Sequence, residues 1–144
     1  MSGITELDEL LKSMSPFLHD GEYAFCTVDG KVSDYAHLDP VCFFQESEGL
    51  TLILLADDAK QAKIPFDGTY KQITLTVHSS LEAVGLTAAV AAKLTEYDIS
   101  ANVVAAYYHD HIFVPSDKAQ LAMSALNEFN EITEITEFDE SKVN

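Results

Sequence analysis

The sequence predicts an α+β fold in which antiparallel sheets carry helices on one face. Three observations predict it. Short runs rich in aromatic and β-branched residues, EYAFCTV (22–28), VCFFQ (41–45) and LTLILL (50–55), are bounded by turn residues. Residues 70–78 alternate strongly, with Ile73, Leu75 and Val77 on one face. Amphipathic helical stripes separate these runs, and the second half reads strand, helix, strand, strand, helix.

Taken in order, residues 4–14 read as a helix, because Ile4, Leu7, Leu11 and Met14 share a stripe that Leu10 widens. Ser15-Pro16 ends it, since the residue before proline avoids helical geometry. The strand 22–28 closes at Asp29-Gly30, a turn dipeptide. Residues 31–40 are the least regular part of the chain. Runs 41–45 and 50–55 flank a Glu-Ser-Glu-Gly turn and form a hairpin. A short helix follows over 57–64, capped by Asp57 or Asp58 and broken by Pro65 and Gly68.

After the strand 70–78, Ser79-Ser80-Leu81-Glu82 has the form of a capping box, and a helix is expected over 81–97. Its small residues, Ala88, Ala91 and Ala92, suit close approach to a sheet. Residues 99–108 read as a strand, His109-Asp110 as a turn, and 111–114 as the returning strand. Tyr107 and Tyr108 would then straddle the strand, facing core or a subunit contact. Pro115-Ser116-Asp117 opens a last helix with Ala119, Ala122, Met123 and Leu126 on one face. Phe129, Ile132, Ile135 and Phe138 recur every third residue, a spacing that drifts by about 60° per step on a helix. A closing strand and an acidic tail both remain open for this segment.

This order is that of the split βαβ, or ferredoxin-like, βαββαβ unit, present in tandem. The expected division is an N-terminal unit over 1–68, a C-terminal unit over 69–130 and an acidic extension over 131–144.

Charge narrows the function. Among 144 residues there are 24 acidic side chains and 8 basic ones, all Lys, for a net charge of -16. Nucleic-acid and anionic-membrane binding are disfavoured, since both rest on clustered Lys and Arg. Without Arg, an anion must be held by Lys, by backbone N–H groups or by a helix N-terminus. Cys26 and Cys42 stand singly in apolar runs and read as buried thiols in a reducing compartment. No leader is visible and no apolar run approaches the ~20 residues of a spanning helix, so a soluble cytoplasmic protein is expected.

The stretches ITLTVHSSLEAVGLTAAVAAKL and ISANVVAAYYHDHIFVP resemble an ACT domain, and GEYAFCTV with EGLTLILL resembles the partner unit of small bacterial tandem ACT proteins. These are similar to the paired ACT modules of aspartate kinases and amino-acid sensors. The resemblance implies a non-catalytic regulatory protein with no cofactor, whose ligand is a small molecule, expected to be an amino acid. Side-by-side assembly of such units implies a homodimer through strand edges or helices.

The first candidate site is the loop His78, Ser79, Ser80, Leu81, Glu82, Ala83, Val84 and Gly85, at a strand end and a helix N-terminus, where free N–H groups suit a carboxylate. The competing reading is a plain helix cap, and the charge of Glu82 favours it. The resemblance implies that the start of a neighbouring unit's second strand, Ser100, Ala101, Asn102 and Val103, completes the site. In the first unit the equivalent loop offers Asp29 for an α-amino group, or only a turn. The topology also brings His78, His109 and His111 to one edge, either as a zinc-like cluster or as turn histidines bonded to backbone. No P-loop, G-x-S-x-G or G-x-G-x-x-G motif occurs. A structural interaction module and a histidine-based metal enzyme remain as alternatives.

Overall fold

The fold is described from a computed structural model covering residues 6–77 and 85–130. Helix α1 (Glu6–Ser13) buries Leu10 and Leu11, and Met14 follows them into the core. The chain then becomes strand β1 (Ser15–Leu18), where the sequence suggested only a helix stop. Pro16 fits there because it stands near the start of a short strand. β1 pairs antiparallel with β5 (Tyr70–Thr76), from Ser15 opposite Thr76 to Leu18 opposite Ile73.

Gly21, at φ 89°, then turns the chain into β2 (Tyr23–Val28). β2 meets β5 at one pair, Tyr23 with Tyr70, and otherwise pairs along its length with β4 (Leu50–Leu55). The irregular stretch 31–40 holds two 3-10 turns, Val32–Asp34 and Ala36–Leu38, and leads to edge strand β3 (Cys42–Gln45). Helix α2 (Ala56–Gln61) follows β4. The later elements are α3 (Leu86–Glu96), β6 (Asn102–Ala105), β7 (Asp110–Pro115) and a helix α4 over 119–130.

One seven-stranded sheet results, in the order β3-β4-β2-β5-β7-β6, with β1 also on β5. β1 and β2 lie end to end along one edge of β5, and β7 occupies the other. The first-unit sheet therefore runs into the second through a shared strand. Ile73, Leu75, Ile112 and Val114 pack with Val90, Leu94, Ala122, Ala125, Leu126 and Met14 on the helical side of the second unit. The first unit packs Ala24, Cys26, Leu50, Leu52 and Leu54 against Ala56 and Ala59. Burial raises the pKa of the Cys26 thiol.

On the opposite face the sheet curls, as twisted sheets do. Tyr23, Ile53 and Phe113 cluster there with Phe25, Cys42, Tyr70 and Val104, so residues of both edge strands, β3 and β6, meet inside the curl. Aromatic rings line it edge to face, with Phe25 at 4.8 Å from Tyr70 and 5.6 Å from Phe113.

Two details correct the sequence reading. β6 is shorter than 99–108, because Ile99 is drawn into the core and the chain turns at Asp98 (φ 59°) before β6 begins. The β6–β7 turn is at Tyr107-Tyr108, closed by Ala106 N–H on the His109 carbonyl at 3.0 Å. His109-Asp110 already belongs to the return. Tyr107 and Tyr108 are 91 % and 86 % exposed, with their rings 4.9 Å apart, and neither faces core. The question of strand or tail over 131–144 lies outside the described residues.

Lys93 ties α3 to α4. It is buried, donates to Glu128 at 3.3 Å and lies 5.4 Å from the Phe129 ring centre. The Tyr97 hydroxyl also donates to Glu128, and these contacts lower the Glu128 carboxyl pKa, the tyrosine bond most.

Met14 and Phe17 separate the core role of the N-terminal arm from its surface. Met14→Ala, at a 2 % exposed site, should cost about 2–5 kcal/mol. Phe17→Ser, at a 59 % exposed site, should stay within about 0.5 kcal/mol. Urea unfolding of both variants checks this; equal effects would mean that the arm does not contribute to the second-unit core.

Candidate functional site

Of the first expected loop, His78, Ser79, Ser80, Leu81, Glu82, Ala83 and Val84 lie outside the described residues. Gly85 is described. It precedes α3 at φ 108°, a conformation that favours glycine, and its carbonyl accepts the first helical bond from Ala89 N–H at 2.8 Å. A β-carbon built there would lie 3.5 Å from Leu7 Cδ2, so α1 covers this helix start from the side.

Ser100, Ala101, Asn102 and Val103 stand at the far end of the same sheet from Gly85. Asn102 is level with Phe113 and Gln72, several residues down β5 from its C-terminal end, and its amide donates to the Phe113 carbonyl at 3.5 Å. Within one chain these residues are not brought beside Gly85. Ala101 packs on the core and Val103 is partly exposed. Ser100 lines a 220 Å³ surface hollow with Thr95, Asp98 and Ile99, at the C-terminal end of α3. The helix dipole and Asp98 there disfavour a carboxylate.

The first unit presents a larger hollow at the equivalent strand end. Beyond the end of β2, Asp29-Gly30 leads to Lys31, whose N–H donates to Asp34 Oδ2 at 3.0 Å. The Tyr35 hydroxyl donates to the Asp29 carbonyl at 2.5 Å and braces the same turn. Lys31, Val32, Phe43, Phe44, Gln45 and Leu50 line a 420 Å³ hollow. Lys31 is the single cation of that lining, and Phe43 and Phe44, 46 % and 68 % exposed, form much of its apolar wall. A cation, an amide side chain and two phenyl rings can receive a molecule with a carboxylate and an apolar part. Asp29 was legible as a candidate; Lys31 and 43–45 were not. The available signal was elimination: with no Arg, an anion site has to draw on one of eight lysines, and Lys31 follows the first strand's turn.

The third feature is a polar chain inside the curl. His19 follows β1, Thr74 is on β5 and His111 on β7. His19 Nε2 is 2.7 Å from Thr74 Oγ1, which is 2.8 Å from His111 Nδ1. The Gln72 amide donates to the same His111 nitrogen at 3.3 Å. His109 and His111 have ring centres 6.4 Å apart, and His109 Nδ1 is buried without a hydrogen-bond partner among the described residues. Burial lowers the pKa of both His19 and His111; neighbouring His109 and His19 lower that of His111 further. Among the described residues no three His, Cys, Asp or Glu side chains converge as metal ligands. His78, the third member of the expected cluster, lies outside them. His19 was missed because its link to His111 depends on β1, which the sequence did not reveal.

Comparison with known proteins fits this architecture. The sequence model of the ACT domain matches residues 2–71, and a second ACT-domain model matches 68–128. A search of curated proteins gave no significant match. A crystal structure of a protein of unknown function from Vibrio cholerae, described as a possible transport protein, is 59 % identical, with a TM-score of 0.84 over 90 % of this chain and 99 % of that one. A protein from Agrobacterium tumefaciens is 18 % identical, with a TM-score of 0.70 over 81 % of this chain and 89 % of that one. The regulatory subunit of aspartate kinase from Thermus thermophilus shares the fold at 8 % identity, with a TM-score of 0.52 over 80 % of this chain and 95 % of that one. No helix among the described residues is long and apolar enough to cross a membrane. With two family matches in succession and a shared βαββαβ architecture, the chain belongs to the ACT-domain family, as a tandem of ACT units.

Proposed function

We propose that this chain is a non-catalytic regulatory protein of the reducing cytoplasm that binds a free amino acid at the hollow beside Lys31. The observation that carries the reading is the 420 Å³ hollow at the end of β2, with one cation set against an apolar wall. Lys31 meets the carboxylate, Asp29 is the candidate for the α-amino group, and Phe43 and Phe44 take an apolar side chain. Unpaired Cys26 and Cys42 support the compartment. The working division places the first unit up to residue 68 and the second over 69–130, with strands exchanged at β5. In the second unit, the loop 78–85 with Ser100, Ala101, Asn102 and Val103 of a neighbouring copy is the corresponding proposal.

A second reading is favoured by the edge strand β3. Val41 and Phe44 are 49 % and 68 % exposed there, and unpaired apolar edges invite another strand. On this reading the edge joins two copies in a homodimer, with or without a ligand. Solution mass with and without amino acid separates the two: a ligand-independent dimer together with no binding supports the interaction module.

Saturating amino acid should raise stability by about RT ln(1 + [L]/Kd), near 2.7 kcal/mol at a hundredfold excess over Kd. A thermal-shift screen of the common amino acids reads this, and no stabilisation by any of them at millimolar concentration defeats the proposal. Lys31→Met should weaken binding by roughly tenfold to a hundredfold, as expected for losing one charge-assisted hydrogen bond. Calorimetric titration with the best amino acid from the screen measures that loss. Unchanged affinity would remove Lys31 from the site.

A further inference from the structure

We infer that the His19–Thr74–His111 chain is a proton-operated latch that fastens the N-terminal arm, α1 and β1, to strand β5. The inference does not depend on the ligand proposed above.

Thr74 Oγ1 lies between two imidazole nitrogens, 2.7 Å from His19 Nε2 and 2.8 Å from His111 Nδ1. It has one hydrogen to give. The Gln72 amide donates to His111 Nδ1, so that nitrogen is an acceptor, and the Thr74 hydroxyl points its hydrogen the same way. Thr74 oxygen must then accept from His19 Nε2–H. On this reading His111 carries its hydrogen on Nε2, and His19 on Nε2 with Nδ1 open.

The two histidines consequently respond differently to acid. A proton added to His19 goes to Nδ1 and leaves its bond to Thr74 intact. A proton added to His111 has only Nδ1 to occupy. There it meets the Thr74 hydroxyl hydrogen and the Gln72 NH2 group. Keeping the chain then requires Gln72 to flip its amide and Thr74 to turn its hydrogen away from His111, and with His19 already donating to Thr74 that hydrogen has no partner left in the chain. Thr74 is buried, so water does not readily replace the lost partners.

The latch sits where the arm ends. The His19 backbone N–H donates to the Gln72 carbonyl at 3.0 Å, as the last rung of the β1–β5 ladder, and the Phe17 ring stands edge-on to His19 at 4.8 Å. Charged and titratable groups of neighbouring elements face the chain. Asp20 beside β1 favours the charged form of His19. On β7, Asp110 favours the charged form of His111 while His109 opposes it. Asp110 also accepts from the Thr87 hydroxyl of α3 at 3.2 Å. From the β3 edge, Cys42 lines a 130 Å³ hollow together with Gln72 and His111. Burial opposes a proton on both histidines. As pH falls through the ordinary value of 6.5 the unfolded chain takes up the proton more readily than the folded one, so acidification through that region weakens the folded arm.

Hydrogen exchange followed by NMR between pH 8 and 5.5, corrected for intrinsic rates, tests the latch. Protection of the Phe17 and His19 amides should fall at least tenfold relative to 23–28 in β2 as the pH drops. His111→Asn keeps an acceptor at the Nδ1 position and does not titrate, so in that variant the two segments should keep a constant ratio. Ring nitrogen shifts of the wild-type protein provide a reading that needs no variant: His111 should hold an unprotonated Nδ1 and a protonated Nε2 at neutral pH. Arm protection that tracks β2 across the range overturns the proposal, as does a His111 ring with its hydrogen on Nδ1 at neutral pH.

Discussion

The constraint on which the rest of the molecule depends is the double use of strand β5. Its one edge holds β1 and then β2, and its other edge holds β7. Every backbone polar group of a buried strand has to be paired, so a strand with two neighbours on one side fixes both of their registers. Ile73 and Leu75 point into the helical core while Gln72 and Thr74 point into the curl. A slip of one residue would exchange these sets and place a threonine and a glutamine under α3 and α4. The two ACT units are therefore joined by hydrogen bonds and by packing, not by a linker alone.

Much of this was legible from residue patterns, and the exceptions have physical reasons. The alternation in 70–76 and the apolar run 50–55 are signals that tertiary context does not override, and both became strands. β1 was illegible because SPFL is only four residues long and contains a proline, which reads as punctuation; its strand state comes from its partner, about sixty residues away. The tip Tyr107-Tyr108 was read as strand because aromatics favour strands, yet the closing hydrogen bond from Ala106 to His109 sets the turn there. The site was legible in outline only. The turn after β2 was readable from Asp29-Gly30, next to the hollow that Lys31 lines. The walls of the hollow were not, because Phe43 and Phe44 read as core until β3 is known to be an edge strand.

The electrostatic character fits a protein that recognises small molecules. A net charge of -16 repels phosphates and other acidic chains at a distance, and it leaves each lysine a local feature in a negative field. Lys93 is spent internally on Glu128, while Lys31 lies at an open hollow. Such a field slows the approach of an anion, whereas a zwitterion with no net charge is largely indifferent to it.

The exchanged arm also bears on the order of events during translation. α1 and β1 leave the ribosome well before β5, yet their sheet position exists only after β5 has been synthesised. The strands β2, β3 and β4 pair among themselves and have no such wait. A nascent chain thus acquires the β2–β4 half-sheet while α1 and β1 still dangle, with Leu10, Leu11 and Met14 uncovered. Bulk added ahead of Glu6 therefore burdens a segment that has to wait for β5 before it can dock.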